Sequence, residues 1–323
     1  MMPAIFSFSA GLVVMLIAAK IFLDLTKEFS AKWKFSPLFI SLVVVALGTN
    51  LPELTVTIAA LGNADPGLAM GNVVGSSIAN LTIVLGASTL FAKVRIGTTK
   101  TPKNASLLLL ITVLFSILTL SSVSIIYKII LLITALLVSL VYQYILALNG
   151  REHEDKKLLK LIQKLELKKR KFPSIVYLIL FLGSLAGLSI GGNITVKAVE
   201  DLSHILQLST TVLGLTLTAL ATSMPELMMS LIASSRKDNK VILGTLMGSN
   251  IFNLTIFPAI ILSSTAAFKI KKFISTKEIF FLMLVTMIFY GIIKKYNGKN
   301  FSKEISVLLI AMFALFSVII FYF

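Results

Sequence analysis

The amino-acid sequence predicts an all-α polytopic membrane protein, with about ten transmembrane helices arranged as two inverted five-helix repeats. The first observation is composition, because 57% of the 323 residues are hydrophobic and only 14% are charged. The second is that apolar stretches of about 20 residues, the length that crosses the hydrocarbon core of a bilayer, recur between polar breaks. The third is a polar motif that occurs twice, once in each half of the chain.

The apolar stretches define the predicted spans. The N-terminal stretch lacks the charged leader and small-residue cleavage site of a secretory signal, so we interpret it as a retained first span. The predicted spans are Ala4–Leu23, Pro37–Leu61, Leu68–Phe91, Ala105–Leu120, Ser124–Leu148, Pro173–Val196, Thr211–Ala233, Val241–Ser263, Ile279–Ile293 and Ile305–Phe323. They divide the chain into a first five-helix repeat at 1–148, a basic cytoplasmic linker at 149–172 and a second five-helix repeat at 173–323.

Lysine and arginine predict the orientation, because cytoplasmic loops carry an excess of positive charge. Alternate loops hold Lys27, Lys32, Lys34, Lys93, Arg95, Lys100, Lys103, Arg236, Lys237, Lys240, Lys294, Lys295, Lys299 and Lys303. The opposite loops hold Lys128 and Lys197, apart from a basic exception at 269–277. Both termini are therefore expected to face outward, in the cell membrane of a prokaryote.

The linker at 149–172 is rich in lysine and has apolar residues at helical spacing, at Leu158, Ile162 and Leu165. An amphipathic helix on an anionic membrane surface is one interpretation. A basic linker between the two halves is favoured, because positive-inside bias alone explains it. The same bias explains the net charge of +16, so no nucleic-acid partner is predicted.

The chain contains no cysteine, which excludes disulfides, thiolate metal sites and cysteine nucleophiles. We interpret His153 and His204 as solvated residues rather than ligands. No cofactor is expected.

An internal repeat relates the two halves. The segment "VALGTNLPELTVTIAAL" aligns with "TALATSMPELMMSLIAS" at an offset of 173 residues, and the same offset places "GNVVGSSIANLT" on "GTLMGSNIFNLT". Polar and helix-breaking positions coincide as well as apolar ones, which indicates a duplication. Because five spans separate equivalent elements, the second copy should be inverted in the membrane.

Each motif combines a proline, a carboxylate and hydroxyls. Pro52 and Pro225 lack an N–H, so we expect them to bend the chain and to leave the carbonyls of Gly48 and Ala221 without helical donors. Spacing of four residues places polar groups on one helix face. The residues so paired are Thr49 with Glu53, Thr222 with Glu226, Ser76 with Asn80, and Ser249 with Asn253.

These groups predict a site for a hard cation such as Ca²⁺, which prefers carboxylate, hydroxyl, amide and carbonyl oxygens. Of the 14 acidic residues, only Glu53 and Glu226 lie deep inside predicted spans. A buried acid costs roughly 2.5–3.5 kcal/mol on insertion scales, so two at matching positions indicate function. Asn50 and Ser223, which adjoin the threonines, are further ligand candidates. Hydrogen bonding between helices is the alternative role for the serines and asparagines, and close helix packing for the motif glycines.

The motifs resemble the alpha-repeats of the cation/calcium antiporter superfamily, specifically its sodium/calcium exchanger branch. "GTNLPEL" and "ATSMPEL", followed by "GNVVGSSIANL" and "GTLMGSNIFNL", carry the resemblance and cover the second, third, seventh and eighth spans. The resemblance implies alternating access, with Ca²⁺ leaving in exchange for Na⁺ and the first and sixth helices sliding across the others.

By position, the resemblance implies Glu53 and Glu226 as the central carboxylates shared by Ca²⁺ and the counter-ion. It implies sodium sites lined by Thr49 and Thr222 with the carbonyls of Ala46 and Ala219, and further ligands at Ser76, Ser249, Asn80 and Asn253. Asn50 departs from a more usual serine. Asn253 stands where some relatives, including potassium-dependent ones, have aspartate, and its neutral amide argues against potassium co-transport.

Several functions stay open on the sequence alone. H⁺/Ca²⁺ antiport, or exchange of another divalent cation, is the alternative to Na⁺/Ca²⁺ antiport. Proline before the glutamate favours sodium, but protonation of the glutamates would also release Ca²⁺. A channel would conduct without counter-transport. An intramembrane hydrolase would need a nucleophile or metal that the motifs do not offer, so no enzyme is predicted. A monomer in the lipid bilayer is expected.

Overall fold

The computed structural model describes residues 2–33, 41–90, 96, 100–148, 174–206, 214–235, 239–264 and 274–322. The helices of these ranges confirm the predicted all-α class. The linker predicted at 149–172 lies outside the described residues. So do several residues on which the predicted orientation rests, namely Lys34, Lys93, Arg95, Arg236 and Lys237.

The helices are numbered here in chain order. They are α1 (Met2–Trp33), α2 (41–49), α3 (Leu51–Gly62), α4 (Pro66–Leu90), α5 (Lys100–Leu120), α6 (Ile125–Leu148), α7 (Ser174–Leu206), α8 (214–222), α9 (Met224–Ser235), α10 (Asn239–Ser263), α11 (Thr276–Lys295) and α12 (Lys303–Tyr322). Among the described helices, eight are long and apolar enough to cross a bilayer alone, and α8 with α9 make a ninth span bent by 49°. The second predicted span corresponds to α2 and α3, so every predicted span has a helical counterpart.

Two helices extend further than predicted. The helices α1 and α7 have 32 and 33 residues, about 48 Å at 1.5 Å per residue, which exceeds the hydrocarbon thickness of about 30 Å. Charged residues such as Lys27 and Glu28 end the apolar stretch of α1 but not its helix. Lysine and glutamate are good helix formers, so hydropathy marks the membrane boundary rather than the helix end.

The internal repeat is visible in the helix boundaries. The bounds of α2, α3 and α4 recur in α8, α9 and α10 at the offset of 173 residues found in the sequence. Asn50 separates α2 from α3 with φ −79° and ψ 4°. Ser223 separates α8 from α9 with φ −78° and ψ 2°. Both copies are therefore broken at the same place with the same backbone conformation.

The position of the break differs from the prediction. Pro52 lies in the first turn of α3, where a missing N–H removes no helical hydrogen bond, so the chain breaks before the proline rather than at it. Backbone N–H groups of the cap turns donate to the carbonyls of Ala46 and Gly48, and of Ala219 and Ala221. The Gly48 and Ala221 carbonyls therefore lack the helical donor that proline cannot supply, but they accept from the turn instead and are not free.

Irregular turns flank both motifs. Residues Ser41–Val45 and Gly214–Thr218 form π-helical turns immediately before Ala46 and Ala219. A third π-helical turn, Asn80–Val84, lies in α4, and α10 has Pro258 near the equivalent position. Such turns shift the backbone hydrogen-bond register and frequently occur at functional sites.

The helices α4 and α10 form the centre of the molecule. In the apolar stretches of these two helices, 83% and 89% of the residues are buried, whereas the buried share is 28% or less in α1, α6, α7 and α12. Around this centre, α4 packs against α3 and α8, and α10 packs against α2 and α9. The outer helices α12 and α6 cover α4 and α10 respectively. The two motif-bearing helices are thereby kept away from lipid.

The helices α1 and α7 pack along each other through small residues. A Cβ added at Gly191 of α7 would lie 2.7 Å from the Met15 side chain and 2.8 Å from the Gly11 carbonyl oxygen of α1. Near the other end, the Phe22 and Phe181 rings stack with centroids 4.9 Å apart. Glycine at the crossing therefore sets how closely the two backbones approach.

Replacing Gly191 with alanine should lower the melting temperature of the protein in detergent. The added methyl has no free space, and overpacking of this kind costs about 1–3 kcal/mol. Gly183 lies on the same helix with nothing within 4 Å of an added Cβ, so Gly183→Ala is the matched control. We expect the control to keep the wild-type melting temperature. An equal melting temperature for Gly191→Ala would contradict the close crossing.

Candidate cation-binding site

The glutamates of the two motifs lie in the first turns of helices that begin inside the membrane. Glu53 is in the first turn of α3 and Glu226 in the first turn of α9, and both side chains are fully buried. The unpaired N–H groups at a helix N-terminus favour negative charge. The breaks at Asn50 and Ser223 thus support each carboxylate with the positive end of a helix.

The first turns of α3 and α9 meet beneath a single glycine of α7. A Cβ added at Gly192 would lie 2.5 Å from Pro52 Cγ and 3.6 Å from Pro225 Cγ. The two glutamates are each next to one of these prolines, so two negative charges are brought toward this contact and repel each other. A cation between them would offset this repulsion.

Glycines allow α4 and α10 to reach the motif of the opposite repeat. A Cβ at Gly75 of α4 would lie 2.5 Å from the Leu215 carbonyl oxygen and 2.7 Å from Ala219 Cβ. A Cβ at Gly248 of α10 would collide with the Leu42 carbonyl oxygen and lie 2.6 Å from Ala46 Cβ. The close packing predicted for these glycines is confirmed, and it joins each repeat to the other.

One half of the site combines α2 with α9 and α10. The Ser249 hydroxyl donates to Glu226 Oε1 at 3.0 Å, and its oxygen lies 3.5 Å from Thr49 Oγ1. The Thr49 hydroxyl also donates to the Ala46 carbonyl oxygen at 3.3 Å. The threonine of the first repeat therefore faces the serine of the second.

The other half combines α8 with α4. Ser76 Oγ lies 2.9 Å from Thr222 Oγ1, and the Ser76 hydroxyl is 3.3 Å from the Ala219 carbonyl oxygen. The Thr222 hydroxyl is 3.2 Å from the same carbonyl. The pairing is again crossed, so neither repeat completes a site by itself.

Many buried oxygens of this region have no hydrogen-bond partner among the described residues. Neither oxygen of the Glu53 carboxylate makes a hydrogen bond with a described residue. Unpartnered atoms also occur at Glu226 Oε2 and in the side chains of Asn50, Asn80, Asn253 and Ser223. Buried polar atoms without partners are strongly unfavourable unless they bind something, and the oxygens among them are of the kind that ligates a hard cation.

The donor set fits a hard cation and not a soft metal. Within the described part of the chain, no group of three or more His, Cys, Asp or Glu residues is placed to hold a metal ion. The region offers two carboxylates with hydroxyl, amide and carbonyl oxygens, which suit Ca²⁺ and Na⁺ better than zinc or copper. Two charges among neutral ligands match one divalent ion.

All of the predicted ligand residues are buried. Short contacts join the threonines, the serines, the alanine carbonyls and Glu226, and the first turn that carries Glu53 approaches the first turn that carries Glu226 at Gly192. Sequence reasoning missed Asn72, whose side-chain oxygen accepts a hydrogen bond from the Thr222 hydroxyl at 3.1 Å. It also missed the buried hydroxyls of Thr57 and Ser230, one turn after each glutamate. The sequence could have indicated all three residues, because Asn72 lies four residues before Ser76, and Thr57 and Ser230 lie four residues after the glutamates, on the same helix faces.

Two inverted repeats, each with a helix broken just before a buried carboxylate, are a recurrent plan of secondary transporters. The chain belongs to the sodium/calcium exchanger protein family, whose model matches residues 3–149 and 176–322, one match for each repeat. It is accordingly an integral, multi-pass membrane protein.

Individual relatives agree with this assignment. The uncharacterized membrane protein MJ0091 of Methanocaldococcus jannaschii is 29% identical over 248 residues, which cover 76% of this chain and 77% of that protein. The putative antiporter CaxA of Alkalimonas amylolytica is 29% identical over 254 residues, covering 76% and 75%. A solved structure of the sodium-calcium exchanger NCX_Mj superposes with a TM-score of 0.76 at 24% identity, covering 97% of this chain and 96% of that one. That structure has the same fold.

Proposed function

We propose that the protein exchanges Ca²⁺ for Na⁺ across the membrane by alternating access. The observation that carries the proposal is the crossed site, in which two buried glutamates and the hydroxyls of both repeats converge. Because each half combines helices of both repeats, a movement of one set against the other changes both halves together. The family name and the name of NCX_Mj support the same pair of ions.

In this proposal, Glu53 and Glu226 bind Ca²⁺ and share it with the counter-ion. Thr49 with the Ala46 carbonyl, and Thr222 with the Ala219 carbonyl, form sodium sites of neutral oxygens. The remaining coordination comes from Ser76, Ser249, Asn80 and Asn253, with Asn50 and Ser223 as further candidates. Neutral hydroxyl and carbonyl oxygens bind Na⁺ without taking up a proton, which favours sodium over H⁺ as the counter-ion.

The test is ⁴⁵Ca²⁺ uptake into proteoliposomes that contain the purified protein. An outward Na⁺ gradient, an outward H⁺ gradient and no gradient are compared, each with protein-free liposomes as the control. We expect uptake with the Na⁺ gradient alone. Uptake driven only by H⁺ would replace the proposal with H⁺/Ca²⁺ antiport. If neither gradient drives uptake, antiport of Ca²⁺ would be contradicted.

A single chain is proposed to be the functional unit, in a prokaryotic cell membrane with both termini outside. One chain supplies both repeats to each half of the site, so no second copy is needed to complete it.

The natural absence of cysteine permits single-cysteine variants for labelling from either side. A cysteine placed at Lys128 should react with an impermeant reagent from outside, and one at Lys240 from the cytoplasmic side.

A further inference from the structure

Asn72 lies in α4, one helical turn before Ser76 and on the same face. Its side chain is fully buried. The Asn72 Oδ1 atom accepts the Thr222 hydroxyl at 3.1 Å, while its Nδ2 atom has no hydrogen-bond partner among the described residues. Asn72 therefore contributes to the Thr222 half of the site from outside the set of predicted ligands.

The Thr222 hydroxyl has three acceptors within reach but only one proton. They are the Ala219 carbonyl oxygen at 3.2 Å, Ser76 Oγ at 2.9 Å and Asn72 Oδ1 at 3.1 Å. A cation bound to Thr222 Oγ1 and to the Ala219 carbonyl needs lone pairs on both, so the proton must point elsewhere. The Asn72 amide oxygen accepts the proton without occupying either proposed ligand.

The first repeat lacks this arrangement. The Thr49 hydroxyl donates at 3.3 Å to the Ala46 carbonyl, itself a proposed ligand, and lies 3.5 Å from Ser249 Oγ. The residue equivalent to Asn72 is Thr245, whose hydroxyl makes no hydrogen bond with a described residue. The two acceptors near the Thr49 proton, the Ala46 carbonyl oxygen and Ser249 Oγ, are both proposed ligands, so a cation at Thr49 would compete with that proton for them.

We propose that Asn72 is a positioning residue that makes the sodium site at Thr222 stronger than the site at Thr49. By accepting the Thr222 proton, Asn72 Oδ1 turns the hydroxyl lone pairs toward the ion. The two threonine sites, equivalent in the repeat, are then unequal in the folded protein. This inference rests on the proposed function, because it takes Na⁺ to be the counter-ion.

The test uses proteoliposomes loaded with ⁴⁵Ca²⁺. Efflux is measured against increasing external Na⁺, and separately against external Ca²⁺ in the absence of Na⁺. We expect Asn72→Leu to raise the half-maximal Na⁺ concentration about tenfold, which corresponds to about 1.4 kcal/mol. Ca²⁺/Ca²⁺ exchange should fall by less than the response to Na⁺, because the central glutamates are intact.

Two further variants separate positioning from packing. Asn72→Asp keeps an acceptor oxygen, so its half-maximal Na⁺ concentration should lie closer to the wild-type value than that of Asn72→Leu. Thr245→Val, the matched control in the other repeat, should leave the Na⁺ dependence within about twofold of the wild type.

Other outcomes would overturn the inference. Wild-type Na⁺ dependence in Asn72→Leu would remove Asn72 from the sodium site, and an equal fall in Ca²⁺/Ca²⁺ exchange would assign it a structural role. The same shift in Thr245→Val would contradict the inequality of the two sites. The Na⁺ response of the unmodified protein is measured first. If that protein performs Ca²⁺/Ca²⁺ exchange but does not respond to Na⁺, sodium coupling itself is overturned.

Discussion

Glu226→Gln should reduce Ca²⁺ transport to the level of protein-free liposomes, and Glu53→Gln should do the same. Glutamine preserves the volume of the side chain but removes one of the two negative charges that face the proposed ion. Loss of a partner that only supports a metal ligand already costs about 10–100-fold in affinity or activity, so loss of the ligand charge itself should exceed this. Transport is measured as ⁴⁵Ca²⁺ efflux into a medium containing Na⁺.

Binding gives a second measurement for these variants. A ligand that binds only the native state raises its melting temperature, so Ca²⁺ should stabilise the wild-type protein in detergent and fail to stabilise either variant. Glu304→Gln, at the exposed start of α12, is the matched control and should transport normally. Full transport by a folded Glu53→Gln or Glu226→Gln protein would remove that glutamate from the mechanism.

Gly248→Ala should reduce transport by about tenfold or more, although glycine has no ligand group. The added methyl would collide with the Leu42 carbonyl oxygen of α2. Because this atom belongs to the backbone, no side-chain rotation can relieve the collision, and α2 must move away from α10. Ala46 and Thr49 lie on α2, so the displacement would separate Thr49 from Ser249.

The equivalent variant in the other repeat, Gly75→Ala, should behave in the same way, because its methyl meets the Leu215 carbonyl oxygen and Ala219. Gly291→Ala, with nothing within 4 Å of the added Cβ, is the control. Transport and melting temperature are measured for all three proteins. Wild-type transport by Gly248→Ala would contradict the close approach of α2 and α10 in the working protein.

Much of the fold could be predicted from local pattern. Apolar length located the eight or nine spans that the described residues contain, and the constant offset that relates Thr49 to Thr222 is enough to reveal the duplication. The helix ends were less accessible: α1 continues past its apolar stretch because residues such as Lys27 and Glu28 support a helix outside the membrane. The breaks at Asn50 and Ser223 were displaced from the prolines because proline is well tolerated in the first turn of a new helix.

The candidate site could be predicted in composition but not in arrangement. Hydroxyls four residues from a glutamate were expected to act beside it on the same helix. In the folded chain, the Thr222 hydroxyl instead bonds to Asn72 and Ser76 of the other repeat, and Thr49 faces Ser249. The spacing within a helix shows which side chains share a face. It carries no information about which distant helix that face meets.

The membrane class, the duplication and the two buried glutamates could be read from the linear chain, because hydropathy, repeat offset and charge are properties of that chain. The interleaving of the repeats follows from the packing of the folded chain, in which Gly75 and Gly248 let α4 and α10 approach the motif of the opposite half. The same packing places an amide acceptor, Asn72, beside Thr222, whereas the contacts of Thr49 among the described residues are with the Ala46 carbonyl and Ser249. Both outcomes depend on how closely separate helices approach. The helices at Gly75 and Gly248 are too close to leave room for a methyl group, and the packing of the whole chain sets that distance.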